Sequence, residues 1–470
     1  MKMSKEKSKA EELKEKLFYV PKHASEVVSQ SETDKADEFC EEYKSFLNKA
    51  KTEREAVIYV LDKAKKNGYV EFDRDKKYQA GDKVYYNNRG KSIILAVIGK
   101  KSLKEGIRLS AAHIDSPRLD MKQNPLYEDS DIAYFKTHYY GGIKKYQWTA
   151  IPLSLHGVVV KKDGTKAQVN VGEDDADPKF VVTDLLPHLA AEQMKRTLAD
   201  GIRGEELNIV IGSRPFRDDE ASEKVKLNVM NILFEKYGIT ESDFLSAELE
   251  AVPAFKATDI GFDRSMIGSY GHDDRVCAYP AAEAIFNIEN PDYTAVTVLT
   301  DKEEIGSDGN TGLNSSYFKY FVADLANMQG VNYHTVLSNT QCLSADVNAA
   351  FDPTFADVSE KRNASYVNKG VVITKYTGSR GKAGTSDASA EYMGKIRSML
   401  DGENIVWQSG ELGKVDAGGG GTVAMYLAAL NIDVVDLGVP VLSMHAPFEV
   451  VAKLDVYMAY RAFKAFFEEK

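Results

Sequence analysis

The run TAVTVLT at residues 294–300 is apolar and rich in β-branched side chains, the pattern of a strand buried in a sheet. Upstream, residues 33–49 and 52–67 read as helices, the second opened by a capping box of Thr52 and Glu55 and closed by Gly68. Both are expected on the outside of a sheet. Strand signals follow at 83–86, 92–98 and 107–112, with a turn at 87–90, and predict a meander that opens a mixed sheet. From about Pro117 tyrosine and glycine become frequent and apolar residues alternate with polar ones, as in IPLSLHGVVV at 151–160 and AQVNV at 167–171. That block predicts a separate β-rich domain. After Glu250 the βα rhythm returns, with helices near 275–286, 387–400 and 422–430, strands at 294–300, 433–437 and 440–444, and a last helix near 451–467. The fold class is therefore α/β, a large domain interrupted by a β-rich insert.

Composition narrows the function. A chain of 470 residues, 43% hydrophobic and 28% charged, exceeds one core and suggests about two to three domains. No run of about 18 apolar residues is present to span a membrane, which argues against a channel or transporter. Residues 1–16 alternate lysine with glutamate and lack the apolar core of a secretion signal, so an exposed helix or frayed arm and a cytoplasmic location are expected. Cys40, Cys277 and Cys342 are odd in number and far apart, which fits a reducing compartment and gives no thiolate zinc motif. With 60 basic and 71 acidic residues the net charge is −11, so nucleic acid and anionic membrane are not expected as partners.

The chemistry gathers at the ends of the strands. DKEEIGS at 301–307 sets Glu303 beside Glu304 just after the apolar run. Neighbouring residues there point in different directions, so one carboxylate can bind a metal while the other faces a reacting water. His113 ends another strand, with Asp115 placed to accept a hydrogen bond from its second ring nitrogen and fix the tautomer. Asp273 and Asp274 precede a helix N-terminus, where carboxylates are favoured and a metal could be shared. Asp346 and His445 each close a short apolar strand. Any one of these could be a cap or turn former. Together they form an ordered set: AHIDSPRLD at 112–120, GHDDR at 271–275, DKEEIGS at 301–307, SADVN at 344–348 and SMHAP at 443–447.

That set resembles the aspartyl aminopeptidase family of dizinc exopeptidases, in its bacterial form, over nearly the whole chain. The resemblance implies a mixed central sheet between helices, formed by residues 1–116 and 254–470, with an inserted dimerization domain at 117–253. It implies His113, Asp273, Glu304, Asp346 and His445 as metal ligands, with Asp273 bridging two ions. Glu303 would be the general base, and Asp115 would orient His113. Two divalent metals about 3.5–4 Å apart can hold one hydroxide and polarise a peptide carbonyl. Imidazole and carboxylate donors suit zinc, with cobalt or manganese as other candidates. The implied reaction removes N-terminal residues from short peptides.

The tract DLLPHLAA at 184–191 resembles the family segment whose histidine, here His188, crosses a dimer interface to stabilise the oxyanion. Family members build homo-oligomers up to tetrahedral dodecamers. Acid-specific members place a lysine in the segment that reads KGVVITKY at 369–376; the matching position is Thr374, with Lys375 one residue later. On a strand that offset turns the side chain to the other face, so Arg380 or Lys382 could substitute, or the preference is neutral. Asp274 is assigned to positioning and His272 to structure. GGGG at 418–421 lacks the lysine of a phosphate loop and is read as a substrate wall. Tyr457, Tyr460, Phe463, Phe466 and Phe467 have helical spacing and are expected in the core. Two other readings share these features: a deblocking or glutamyl aminopeptidase of the neighbouring tetrahedral family, and a non-catalytic assembly protein on the same scaffold.

Overall fold

A computed structural model describes residues 7–217 and 222–470. Nine strands form the central mixed sheet, in the spatial order Val70–Glu71, Lys83–Asn88, Ser92–Val97, Thr294–Thr300, Ile107–His113, Gln341–Ser344, Asp433–Gly438, Val371–Thr374 and Trp407–Ser409. Thr294–Thr300, Ile107–His113, Gln341–Ser344 and Asp433–Gly438 run parallel, with Thr300 level with His113 and Ser344 level with both Ala111 and Asp436. The carboxyl ends of these four strands therefore open on one edge, the usual place for a site in a parallel sheet.

The expected meander is corrected here. Strands 83–88 and 92–97 do form an antiparallel hairpin, but Thr294–Thr300 lies between Ser92–Val97 and Ile107–His113. Its parallel partner is reached only through a long crossover, which sequence adjacency does not reveal.

Helices cover both faces. On one, Gln30–Lys49, Glu53–Lys66, His272–Phe286, Ala390–Gly402 and Lys453–Phe467 pack into a single apolar cluster. Gln30–Lys49 begins where Ser29 Oγ accepts the Glu32 amide, and its stripe of Ala36, Cys40, Tyr43, Phe46 and Leu47 faces inward. Thr52 and Glu55 make the predicted capping box. Phe463, Phe466 and Phe467 are fully buried in this core, and Tyr457 and Tyr460 pack at its margin. The opposite face carries Tyr317–Met328, Tyr333–Asn339 and Ala424–Ala428. The helix read at 422–430 is confined to Ala424–Ala428, and the last helix starts at Lys453 because Glu449–Ala452 forms a strand.

A seven-stranded antiparallel sheet is built wholly from strands between Arg118 and Pro253, in the order Lys166–Val171, Leu153–Val160, Ala247–Pro253, Arg118–Asp129, Ile132–Tyr140, Ile209–Gly212 and Val181–Val182. A five-stranded sheet pairs Met266–Ser269 with Glu449–Ala452, setting Ser269 opposite Glu449. That register brings the chain entering His272 and Asp273 beside the chain leaving His445. Residues 1–6 of the predicted arm lie outside the described residues; Lys9–Leu17 is an exposed helix capped by Ser8 and Glu11.

Candidate metal centre

Asp273 stands between two histidines. His113 Nε2 lies 3.1 Å from Asp273 Oδ1, and His445 Nε2 lies 3.1 Å from Asp273 Oδ2. Each imidazole is aimed by a backbone carbonyl. His113 Nδ1 donates to the Asp115 carbonyl at 3.0 Å, and His445 Nδ1 donates to the Gly142 carbonyl at 2.7 Å. Both rings thereby present Nε2 to the same carboxylate, which holds both imidazole pKa values up, and a cation seated there would be ligated by Nε2 of each ring in place of the proton.

The remaining candidates sort onto the two sides. Asp346 Oδ1 is 3.9 Å from His113 Nε2, and Glu304 Oε1 is 3.6 Å from His445 Nε2. His113, Asp273 and Asp346 form one group able to hold a cation, and Asp273, Glu304 and His445 form another. Glu303 Oε2 faces His113 Nε2 at 4.0 Å. All five residues named by the resemblance as ligands, and Glu303, meet in one cluster, although the chain between His113 and His445 includes most of the protein.

The donor set fits a metal. Burial and neighbouring acids push the carboxyls of Glu304 and Asp346 well up, and burial with the same neighbours pushes Glu303 up to about 7 despite the opposing histidines. Such crowding of carboxylates without a lysine or arginine among them is relieved by a divalent cation. The buried Glu304 Oε1 has no hydrogen-bond partner in the protein, which leaves a lone pair free at the centre of the cluster.

Asp115 does more than the sequence indicates. Its carbonyl, rather than its carboxylate, holds His113; the carboxylate Oδ1 stands off at 3.4 Å. That carboxylate instead accepts the amides of Glu303 at 3.1 Å and Glu304 at 3.2 Å, and the Tyr140 hydroxyl at 2.8 Å. Asp274 Oδ2 accepts the His113 amide at 3.4 Å, in keeping with a positioning role. His272 is buried between the Tyr43 hydroxyl at 2.8 Å and the Ile267 carbonyl at 3.2 Å, and burial lowers its pKa to about 3, so it stays neutral and structural.

Glu449 was missed from the sequence. Its two oxygens accept the amides of His445 at 2.8 Å and Asp273 at 3.2 Å, tying the two sides of the cluster together. His445 has φ 64°, a left-handed conformation that few non-glycine residues adopt, and the Glu449 carboxylate on its amide helps hold it there. The signal was present as an acid four residues after the histidine, on the strand that follows it.

A cavity of about 250 Å³ opens from the cluster, lined by Glu303, Asp346, Asn348, Thr374, Thr422 and Asp436, with Gly419, Gly420 and Gly421 along one wall. The glycine run thus borders the cavity. A side chain at Gly419, where φ is 110°, would collide with the Gly378 carbonyl. Thr374 faces the cavity, whereas Lys375 turns away and pairs with Asp387. Lys382 also pairs with Asp387, at 2.8 Å, and lies over the Tyr376 ring; with Arg380 it borders an adjoining surface depression. His188 does not join the cluster. It sits on the exposed turn Pro187–Leu189 and does not line the cavity within its own chain.

The model of the family described as aminopeptidase I zinc metalloprotease (M18) matches residues 46–467. A probable M18 family aminopeptidase 1 of Clostridium acetobutylicum is 52% identical over 432 residues, covering 90% of this chain and 93% of that protein. The crystal structure of an M18 family aminopeptidase from Thermotoga maritima superposes with a TM-score of 0.92 at 43% identity, over 96% of this chain and all of the other. More distantly, a structure described as the S. cerevisiae mApe1 dodecamer shares the fold, with a TM-score of 0.75 at 21% identity over 94% of this chain and 98% of that one.

Proposed function

The chain belongs to the M18 family of aminopeptidase I zinc metalloproteases and is a metal-dependent aminopeptidase; we propose that it acts through two metal ions that share Asp273. The observation that carries this reading is that the two oxygens of Asp273 face different histidines, Oδ1 lying 3.1 Å from His113 Nε2 and Oδ2 3.1 Å from His445 Nε2. His113 and Asp346 would complete one ion's set, and His445 and Glu304 the other. When bound, the ions lower the pKa of a water molecule and polarise the scissile carbonyl.

Glu303 supplies the proton chemistry. Its carboxylate borders the cavity, and its amide is pinned by Asp115, so the group is held where a reacting water can meet it. It takes the water proton on Oε2 and passes it to the departing amine, turning a poor leaving group into a neutral one. Asp115 fixes Glu303 and Glu304 relative to His113, and Glu449 fixes Asp273 relative to His445. The metal centre is thus braced from both sides.

The segment 117–253 is the part of the chain that serves dimerization in this account. Leu185, Leu186, Leu189, Met194 and Leu198 are exposed on it, an apolar stretch suited to cover by a second copy. His188 lies in that stretch and would reach the neighbouring subunit's centre to hold the oxyanion. The dodecamer described for the yeast relative supports a homo-oligomer of this kind. No helix among the described residues is long and apolar enough to cross a membrane, and three free, buried cysteines suit the cytoplasm.

Turnover of a panel of free and N-blocked aminoacyl substrates with added zinc, cobalt or manganese tests the proposal. Free-amine substrates should be hydrolysed and blocked ones spared, with activity lost on chelation and restored by metal. Equal cleavage of blocked substrates would contradict it.

A further inference from the structure

Three successive residues at the end of one strand of the seven-stranded sheet lie against different parts of the metal cluster. Strand Ile132–Tyr140 ends at Tyr140, whose hydroxyl donates to Asp115 Oδ2 at 2.8 Å. Two residues on, the Gly142 carbonyl accepts His445 Nδ1 at 2.7 Å. Between them Gly141 has φ 75°, and a Cβ built there would stand 3.1 Å from Glu304 Oε2 and 3.3 Å from Glu304 Cβ. The left-handed backbone and the close approach to Glu304 both call for glycine. One short segment therefore meets Asp115, which accepts the amides of Glu303 and Glu304, then the Glu304 side chain, then the His445 ring.

The segment is itself held. Arg118 is paired with Tyr140 in the sheet, and its guanidinium lies 3.9 Å from the centre of the Tyr140 ring. That guanidinium is buried and reaches Asp120 at 2.8 Å, Glu53 at 3.3 Å and Glu250 at 3.4 Å. Asp120 and Glu250 lie on strands of the seven-stranded sheet, whereas Glu53 opens the helix Glu53–Lys66 that packs on the central sheet. The stack thus fixes Tyr140 relative to both. Burial and the Asp115 carboxylate push the Tyr140 pKa up, so the hydroxyl keeps the proton that it donates.

We propose that Tyr140, Gly141 and Gly142 are positioning residues of the reaction: this segment sets where Glu304 and His445 hold their ion relative to Glu303. The inference rests on the metal-dependent aminopeptidase reading and on the ligand groups given above. None of the three is among the residues lining the cavity, so their effect falls on kcat and on metal retention, and not on substrate binding.

The test uses full-length enzyme loaded with zinc or, for its visible absorption, with cobalt. Tyr140→Phe removes one hydroxyl and keeps the ring beneath Arg118. On the aminoacyl 4-nitroanilide that wild type cleaves best, it should lower kcat about tenfold with KM within about twofold of wild type, and it should shift the cobalt spectrum. Gly141→Ala presses on Glu304 and should release its first zinc equivalent at about tenfold lower chelator concentration. Tyr134→Phe, on the same strand but stacked on Tyr127, should leave all of these unchanged. If Gly141→Ala fails to fold, Tyr140→Phe still decides through kcat and the cobalt spectrum. Wild-type kcat and an unshifted spectrum in Tyr140→Phe would overturn the proposal, as would wild-type zinc release by folded Gly141→Ala. A lowered Tm with the other readouts unmoved would make these contacts structural only and overturn it too. A raised KM at unchanged kcat would place the segment in substrate binding, with the same consequence. Wild type that hydrolyses no free-amine substrate when folded and zinc-loaded would instead strike the aminopeptidase reading beneath it.

Discussion

Asp115 accepts the backbone amide of Glu303 at 3.1 Å, joining two residues 188 positions apart in the chain. The contact makes the loop that carries Glu303 and Glu304 an extension of the strand that carries His113. Replacing the carboxylate by an amide turns one acceptor into a donor that faces the Glu303 or Glu304 N–H. Asp115→Asn should lower kcat by about 10–100-fold, the range for residues that orient metal ligands. The zinc content should fall less than the rate. Measured kcat close to wild type would show that the loop holds itself.

Asp273→Ala should remove both metals together. One carboxylate serves the His113 side and the His445 side, so neither group keeps its full complement without it. Elemental analysis of the dialysed protein should find less than one metal equivalent retained. One equivalent fully retained would make Asp273 the ligand of a single ion.

Sequence reasoning went far at this centre because its chemistry sits at strand ends. Glu303 and Glu304 follow an apolar run, and His113, Asp346 and His445 each follow another, so the motifs mark both residue and position. The bracing groups left no such mark. Gly142 aims His445 through a main-chain carbonyl 303 residues away, which any residue could offer. Tyr140 is one of many tyrosines in its block, and nothing in the local sequence marks its hydroxyl as a partner of Asp115. Asp436 reads as a polar residue in a strand, and only its pairing with Thr374 puts it in the cavity. In the fold, Tyr317–Met328 and Tyr333–Asn339 were not read, and the hairpin and crossover around Thr294–Thr300 depend on pairing that local pattern does not encode.

His156 gives a pH-dependent link between the seven-stranded sheet and the helix Glu53–Lys66. Burial opposes its charge, but hydrogen bonds to Glu173 at 3.1 Å and Glu55 at 2.8 Å prevail and raise its pKa. A raised pKa in the folded state means stability that is fully present below the unfolded value of about 6.5 and lost as pH rises through the folded pKa. The Tm deficit of His156→Gln should therefore be largest at mildly acid pH and shrink in alkali. A deficit that grows with pH would show that His156 is held neutral.

Exchange of subunits tests the role given to His188. Glu303→Gln and His188→Ala are each expected to be nearly inactive alone, with His188→Ala keeping its metals. A lost oxyanion donor costs about 10²–10³ in kcat. Mixed under conditions that permit exchange, they should regain activity where an intact Glu303 centre meets an intact His188 from the other chain. Mixed oligomers without recovery would rule out supply between subunits, and a fully active monomer would dispose of the interface.

The central claim is that Glu303 moves the proton while the other carboxylates and histidines hold the metals. Glu303→Gln measures it most directly, because the amide preserves shape and size but cannot accept a proton from water. The account predicts a loss of about 10²–10⁴-fold or more in kcat with zinc content near wild type. Substantial activity in the fully metallated variant would contradict it.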